Sequence, residues 1–116
     1  MFNKIHVLFV CSANVFRSRT AEIFFQNKYR DINIRSAGID SRYTRIHNSV
    51  RLERRMVEVF DYVYCMEEEH KTYISQWFKP VPSKVKVLGI EDVYNFMEGS
   101  LIHTLNEKLK NEPWYI

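Results

Sequence analysis

The sequence predicts an α/β sandwich built around a parallel sheet. Short apolar runs rich in β-branched residues alternate along the chain with longer segments whose apolar side chains recur at helical spacing. Such alternation is typical of parallel strands joined by right-handed helical crossovers. The continuous apolar run from Val7 to Val10 indicates a central strand that is buried on both faces.

Length and composition narrow the class of protein. The chain has 116 residues, 46% of them hydrophobic, so we expect one ordered domain over residues 1–116. The net charge of +3 suits an anionic partner but falls short of the basic surface of a nucleic-acid-binding protein, so no nucleic acid is expected. No apolar run approaches the ~20 residues that cross a bilayer, so we expect no membrane partner and a cytoplasmic location.

The first half of the chain begins with a predicted strand over Ile5–Val10. A helix is expected to follow from about residue 19, because apolar side chains there lie at helical spacing with charges opposite. The second strand is predicted over Ile32–Arg35. A second helix is predicted over Val50–Phe60, with Asn48 or Ser49 as its N-cap.

The second half contains two more predicted strands, Tyr62–Met66 and Val85–Leu88. Between them we expect a helix whose acidic first turn, Glu67–Glu69, complements the helix dipole. Pro80 and Pro82 are expected to end that helix. A last helix carries an apolar stripe formed by Leu101, Ile102, Leu105 and Leu109.

The loop between the first strand and the first helix carries the most informative residues. In open parallel sheets, ligands bind at the carboxyl ends of the strands, where this loop lies. Cys11 ends the strand, and Arg17 follows six positions later at the entrance of the helix. Backbone N–H groups of such a loop and the helix N-terminus form a cradle for phosphate or another oxyanion. The predicted phosphate-binding residues are Ser12, Ala13, Asn14, Val15, Phe16, Arg17 and Ser18.

Cys11 and Arg17 together indicate a covalent reaction in this cradle. The helix field and the guanidinium favour a thiolate at Cys11, directly beneath the bound phosphate. Arg17 is expected to bind two phosphoryl oxygens, and Ser18 to donate to the sulfur or cap the helix. Asn14 is expected to take the positive φ that a tight loop without glycine needs. A lone cysteine at a strand end is more often an inert buried thiol, and the arginine at this offset favours catalysis instead.

The loop Cys11–Ser18 is followed by Thr20-Ala21-Glu22, and the second strand by Ser36-Ala37-Gly38. With Asp61–Glu67, these stretches resemble the low-molecular-weight protein tyrosine phosphatases, whose signature is a Cys-x5-Arg-Ser/Thr loop before a helix that contains Ala-Glu. The resemblance covers most of the chain. It is strongest to a short subfamily of predicted phosphatases that lacks part of the usual middle region.

The resemblance implies a flavodoxin-like three-layer fold, with a four-stranded parallel sheet in the order 2-1-3-4 and helices on both faces. It also implies a metal-independent phosphomonoesterase, a protein tyrosine phosphatase that forms a cysteinyl-phosphate and needs no cofactor. Its substrate would be a phosphorylated protein or a small aryl phosphate. No metal site is expected, because the four histidines show no ligand spacing.

A carboxylate after the fourth strand is expected to act as general acid, because that edge of the sheet faces the loop. From the residues alone, Glu91 and Asp92 are both candidates. The resemblance aligns Asp92-Val93-Tyr94 with the family's Asp-Pro-Tyr, which implies that Asp92 is the acid. Tyr94 would then form a pocket wall that stacks on an aromatic substrate. Because Val93 replaces the usual proline, Glu91 stays the alternative.

Two further positions bear on the chemistry. Phe16 stands where many family members have a second cysteine that protects the nucleophile in a disulfide. Without it, Cys11 is expected to oxidise further or to pair with an external thiol. Cys65, on the third strand, is expected to be structural. The basic stretch Ser41–His47 is either a solvated connector or a rim that attracts acidic phosphopeptides or another polyanion.

Three other functions compete with this interpretation. A thiol-dependent arsenate reductase shares the fold and loop but needs further reactive cysteines. Sugar phosphotransferase subunits carry phosphocysteine on a similar fold but do not need Arg17. A phosphate- or phosphoprotein-binding module with little or no turnover would use the same cradle for recognition alone.

Overall fold

Strand β1, Ile5–Cys11, lies inside a four-stranded parallel sheet. The computed structural model describes residues 4–79 and 84–116. The strand order is β2-β1-β3-β4, with β2 at Ile32–Gly38, β3 at Tyr62–Cys65 and β4 at Val85–Val87. The predicted flavodoxin-like fold and its order 2-1-3-4 are therefore confirmed.

Helices cover both faces of this sheet. The described ranges contain α1 at Arg17–Lys28, α2 at Ser41–Ile46, α3 at Arg54–Val59, α4 at Glu68–Trp77 and α5 at Gly99–Leu109. The sequence predicted four of the five. The prolines expected to end α4, Pro80 and Pro82, lie outside the described residues. No helix in the described ranges is long and apolar enough to cross a membrane.

Side chains of β1 alternate between two hydrophobic cores. Val7, Phe9 and Cys11 belong to the core that α1 and α5 cover, whereas Leu8 and Val10 belong to the core under α3 and α4. Successive residues of a strand point to opposite faces, so a strand covered on both sides needs apolar residues at every position. This burial explains the unbroken apolar run, and it places the end of β1 between the two helical layers.

Two segments between β2 and β3 differ from prediction. The helix expected over Val50–Phe60 is shorter, because Val50 and Leu52 pair with the end of β2 instead. The N–H of Gly38 donates to Val50 C=O at 2.8 Å, and the N–H of Leu52 donates to Gly38 C=O at 2.8 Å. Asn48, expected as an N-cap, has a φ of 51° and lies in the turn before this pairing.

Helix α2 was not predicted as a helix. It begins after Asp40, whose carboxylate accepts hydrogen bonds from the N–H groups of Arg42 and Tyr43 at 3.0 and 3.1 Å. This side-chain cap satisfies N–H donors that have no partner within the helix. The basic stretch Ser41–His47 is therefore an ordered helical turn beside the loop after β1, and most of its residues are exposed to solvent.

The C-terminal segment packs against the sheet through Trp114, whose side chain is 1% exposed. Its Nε1–H donates to Tyr64 Oη at 2.7 Å, and Tyr64 donates to Glu112 Oε1 at 2.6 Å. Burial and the contact with Glu112 raise the pKa of Tyr64 well above its usual range, so it stays a neutral donor. Strand β3 thus anchors the end of the described chain.

Candidate active site

The loop between β1 and α1 folds around the sulfur atom of Cys11. Asn14 has a φ of 57°, so the prediction that it takes the positive-φ position is confirmed. In that conformation its backbone N–H donates to Cys11 Sγ at 3.2 Å. On the first turn of α1, Ser18 lies with its Oγ 2.9 Å from the same sulfur. Two donor groups therefore converge on the predicted nucleophile.

Ser18 has one hydroxyl proton and two acceptors within reach. Its Oγ donates to Asn14 Oδ1 at 2.8 Å, and Cys11 Sγ is at 2.9 Å. When Cys11 is a thiol, its S–H can donate to Ser18 Oγ while Ser18 donates to Asn14. When Cys11 is a thiolate, Ser18 can donate its proton to the sulfur instead. Asn14 Nδ2 is buried and has no partner in the described part of the chain. A half-turn of this amide lets Nδ2 donate to Ser18, so the three residues can form one donor chain ending on the sulfur.

The backbone of the loop offers further donors. Helix α1 begins at Arg17, its N-cap Phe16 makes no side-chain cap, and its first turn contains no acidic residue. The N–H groups of Ala13, Val15 and Phe16 have no acceptor among the described residues. Unpaired N–H groups at a helix N-terminus bind anions well, because the helix dipole adds to the hydrogen bonds.

Arg17 is held from three sides at the edge of this cradle. Its side chain is 3% exposed, and Nη1 donates to the Ile90 carbonyl at 2.8 Å and to the carboxylate of Glu67. Its Nε lies 3.6 Å from Asp92 Oδ1. Glu67 follows β3, and Ile90 and Asp92 follow β4, so the carboxyl edge of the sheet orients the guanidinium that the sequence predicted to bind phosphate.

The N-terminal turn of α4 contacts the loop after β1 through His70. Glu67 caps this helix in a reciprocal pair with His70, and the Glu67 N–H donates to His70 Nδ1 at 3.0 Å. Since Nδ1 accepts, the proton of neutral His70 is on Nε2, which lies 3.1 Å from Ser12 Oγ and donates to it. Burial, and then the charge of Arg17, lower the pKa of His70 to about 4, which keeps this imidazole neutral at pH 7.

A cavity of about 310 Å³ connects these groups with the surface. The predicted nucleophile Cys11, the predicted phosphate ligand Arg17 and the carboxylate of Asp92 all line it, while Asn14 and Ser18 are buried beside Cys11. Helix α2 and the residue after it supply the outer wall. The residues that line the cavity are Cys11, Ser12, Ala13, Val15, Phe16, Arg17, Tyr43, His47 and Asp92.

The structure separates the remaining candidates from this cavity. Glu91 and Asp92 are both exposed, but only Asp92 is part of the lining. Tyr94 is not part of the lining either; its ring packs against the core, and its Oη lies 3.5 Å from Thr104 Oγ1. The aromatic wall is instead formed by Phe16 and Tyr43. From the sequence, Tyr43 was predicted only as part of the basic stretch Ser41–His47, a rim or a connector.

Cys65 lies in a different environment from Cys11. It is fully buried in the core under α3 and α4, whereas Cys11 belongs to the core on the opposite face of the sheet. Burial raises the pKa of Cys65 to about 12, so it stays a neutral thiol at neutral pH. Across residues 4–79 and 84–116, no three His, Cys, Asp or Glu side chains are grouped to hold a metal ion.

The family described as low molecular weight phosphotyrosine protein phosphatase matches residues 6–101, which include the loop, Arg17 and Asp92. The chain belongs to this family. Low-molecular-weight phosphatases are phosphoric monoester hydrolases, so this is the class of enzyme to which the chain belongs. No protein of curated function is significantly similar in sequence.

Solved structures of other low-molecular-weight phosphatases share the fold of this one. Vibrio vulnificus Wzb in complex with benzylphosphonate superposes with a TM-score of 0.72 at 20% identity, covering 93% of this chain and 96% of its own. The tyrosine phosphatase Wzb from Escherichia coli K30, in complex with phosphate, gives 0.72 at 21% identity, with coverages of 93% and 95%. A mutant of the arginine phosphatase YwlE, which carries a phosphorylated active-site serine, gives 0.67 at 21% identity, with coverages of 94% and 98%.

Proposed function

We propose that this phosphatase hydrolyses phosphotyrosine or a similar aryl phosphate in phosphorylated proteins, through a cysteinyl-phosphate on Cys11. The observation that carries the proposal is that Cys11, Arg17 and Asp92 line one cavity, with two donors directed at the Cys11 sulfur. We further propose that residues 1–116 act as a single domain in the cytoplasm. Inorganic phosphate or another oxyanion is expected to bind in the same loop.

The first step transfers the phosphoryl group to the protein. The Cys11 thiolate attacks phosphorus while the bond from phosphorus to the substrate oxygen breaks, and Asp92 gives its proton to the departing oxygen. Loop N–H groups and the Arg17 guanidinium stabilise the charge on the phosphoryl oxygens. Ser18 donates to the sulfur, which stabilises it as nucleophile and again as leaving group.

The second step returns the enzyme to its starting state. Asp92, now a carboxylate, takes a proton from water as the water oxygen attacks phosphorus, and the phosphorus–sulfur bond breaks. Inorganic phosphate and the Cys11 thiolate are the products, so protons and charge balance over the cycle. The exposed position of Asp92, with 63% of its side chain accessible, gives this water a direct route from solvent.

The composition of the cavity supports an aryl leaving group. Val15, Phe16 and Tyr43 form apolar or aromatic walls, which suit a phenyl ring. A phosphorylated guanidinium, the group suggested by the relative YwlE, would need several acceptors, and Asp92 is the one carboxylate among the described residues that line the cavity. Phosphoarginine is therefore expected to be a poorer substrate than phosphotyrosine.

Two of the alternative functions considered from the sequence are supported less well by the structure than the phosphatase. An arsenate reductase mechanism needs a second thiol near Cys11, and Cys65 lies in the core on the other face of the sheet. A binding module without turnover would not need a carboxylate in the cavity, and Asp92 lines it. We therefore favour the phosphatase and treat the binding module as the outcome to be excluded by experiment.

The decisive experiment compares p-nitrophenyl phosphate hydrolysis by the wild type, Cys11→Ser and Cys65→Ser between pH 5 and 8, with a chelator present. We expect activity in the wild type and in Cys65→Ser, inhibition by vanadate, and a loss of at least about 10³-fold in Cys11→Ser, which still binds vanadate. Turnover by Cys11→Ser at the wild-type rate would exclude the covalent mechanism. Vanadate binding without turnover in the wild type would favour the binding module.

A further inference from the structure

A second cavity adjoins the one that contains Cys11. Its volume is about 630 Å³, twice that of the first, and Val15, Phe16 and His47 belong to the lining of both. A molecule whose phosphate lies on the loop can therefore continue past Phe16 into the second cavity without leaving the surface. The walls beyond this shared boundary include Arg19, Asn48, Val50 and Phe96.

Exposed apolar side chains are concentrated around the two cavities. In the described part of the chain, ten large apolar side chains are exposed, and six of them line the cavities or lie next to residues that do: Phe16, Tyr43, Ile46, Val50, Val93 and Phe96. Apolar side chains scattered singly over a surface are ordinary, but a group of them at one place marks a binding surface. This group surrounds the proposed catalytic residues.

The fixed charge that Arg19 brings to the second cavity is already paired, so it gives little preference for an acidic occupant, and the exposed apolar side chains of the lining favour an apolar one. Arg19 Nη1 is already paired with Glu22 Oε1 at 3.0 Å, which balances its charge. Val50 and Phe96 are each 45% exposed and Phe16 is 43% exposed, so an apolar ligand there would remove three side chains from water at once. The wall is thus suited to a side chain such as that of leucine.

We propose that this flanking groove, defined by Phe16, Val50 and Phe96, binds an apolar side chain next to the phosphorylated residue of a protein substrate. The inference rests on the proposed function, because it requires the phosphate to be bound at Cys11. A small phosphate ester fits within the first cavity alone, whereas a polypeptide extends from the phosphorylated residue into the groove. The groove therefore selects protein substrates by the residue beside the phosphorylated one.

The test uses two phosphotyrosine peptides of otherwise identical sequence. In one peptide leucine stands on both sides of the phosphotyrosine, and in the other serine does. Phosphate release gives kcat/KM for each peptide and for p-nitrophenyl phosphate, in the wild type, Val50→Ser, Phe96→Ser and a control, Trp77→Ser. Trp77 is 62% exposed on α4 and belongs to neither cavity, so the control removes an exposed aromatic ring elsewhere.

We expect the wild type and Trp77→Ser to prefer the leucine peptide by about tenfold, and Val50→Ser and Phe96→Ser to lose most of that preference. All four proteins should hydrolyse p-nitrophenyl phosphate within about twofold of one another.

Equal kcat/KM for the two peptides in the wild type would overturn the proposal, as would a preference that the groove variants retain. A dimer that Phe96→Ser dissociates, with no peptide preference, would assign the groove to a second copy of the chain. Inactivity of the wild type toward p-nitrophenyl phosphate would instead contradict the proposed function itself.

Discussion

Gly38, the last residue of β2, lies directly against the backbone of Ser12 in the loop after β1. A Cβ atom on Gly38 would be 2.7 Å from the Ser12 carbonyl oxygen and 2.8 Å from the carbonyl carbon of Ala13. Both contacts are with backbone atoms, which cannot rotate away as a side chain can. The glycine therefore lets β2 approach the loop after β1 closely, and this gives a physical reason for Ser-Ala-Gly at the end of that strand.

Replacement of Gly38 by alanine is expected to displace the loop and lower activity. A shift of loop donors by a few tenths of an ångström to 1 Å should reduce kcat/KM for p-nitrophenyl phosphate by roughly 10- to 100-fold. The free energy of unfolding should fall by about 1–3 kcal/mol. The matched control is Gly99→Ala at the start of α5, where an added Cβ meets no heavy atom within 4 Å. Equal activity of the two variants would show that the loop tolerates the extra atom.

Asp92→Asn is expected to slow substrates according to their leaving group. Phenolate needs the proton that Asp92 is proposed to supply, so turnover of phenyl phosphate should fall by about 10²-fold, whereas p-nitrophenyl phosphate, with its better leaving group, should lose less than about tenfold. Glu91→Gln is the matched control, because its carboxylate is not part of the cavity lining. A loss of equal size for both substrates would indicate that Asp92 acts through its contact with Arg17, whose Nε is 3.6 Å away.

The environment of His70 predicts how stability depends on pH. Burial lowers the pKa of His70 from its ordinary 6.5 to about 4, so between these values the unfolded chain binds a proton that the native protein does not. Its contribution to stability is therefore complete above pH 6.5 and is lost as the pH falls toward 4. Between pH 7 and 5 this amounts to roughly 2 kcal/mol.

His70→Asn is the variant that tests this dependence. The asparagine carbonyl can still accept from the Glu67 N–H, so the cap of α4 is retained while the titrating group is removed. Urea unfolding at pH 7 and pH 5 should show a larger loss of stability in the wild type than in the variant. The charged groups near this position, Arg17, Glu67, Glu69 and Asp92, are present in both proteins, so their own titration largely cancels in the comparison. Parallel losses in the two proteins would contradict the assignment to His70.

The parts of the molecule that sequence reasoning predicted depend on local patterns. The apolar run of β1 and the offset between Cys11 and Arg17 lie within the 13 consecutive positions from Ile5 to Arg17, so strand, loop and helix could be predicted together. The positive φ of Asn14 followed from the same stretch, because a tight loop without glycine leaves few other candidates.

The parts that were missed depend on contacts between distant residues. Glu67 was interpreted as part of an acidic helix turn and His70 was not distinguished from the other histidines, because their contacts with Arg17 and Ser12 span 50 and 58 residues of sequence. A usable signal was present: both lie just after β3, at the same edge of the sheet as the loop. Helix α2 was missed because six residues are too few for a periodic pattern, although Asp40 is a good N-cap.

The separation of the two thiols predicts how the protein responds to alkylation and oxidation. Iodoacetamide at pH 7 should modify Cys11, which lines the cavity, and should leave Cys65 unmodified until the protein unfolds, because Cys65 is fully buried and its pKa is raised to about 12. Phosphate should protect Cys11 by binding over it.

Under dilute peroxide, Cys11 should form a sulfenic acid or a mixed disulfide with added glutathione, since Phe16 occupies the place of a second loop cysteine. Peptide mapping by mass spectrometry checks each product. An intrachain bond between Cys11 and Cys65 would mean that the native sheet opens during oxidation, because the two side chains lie in cores on opposite faces.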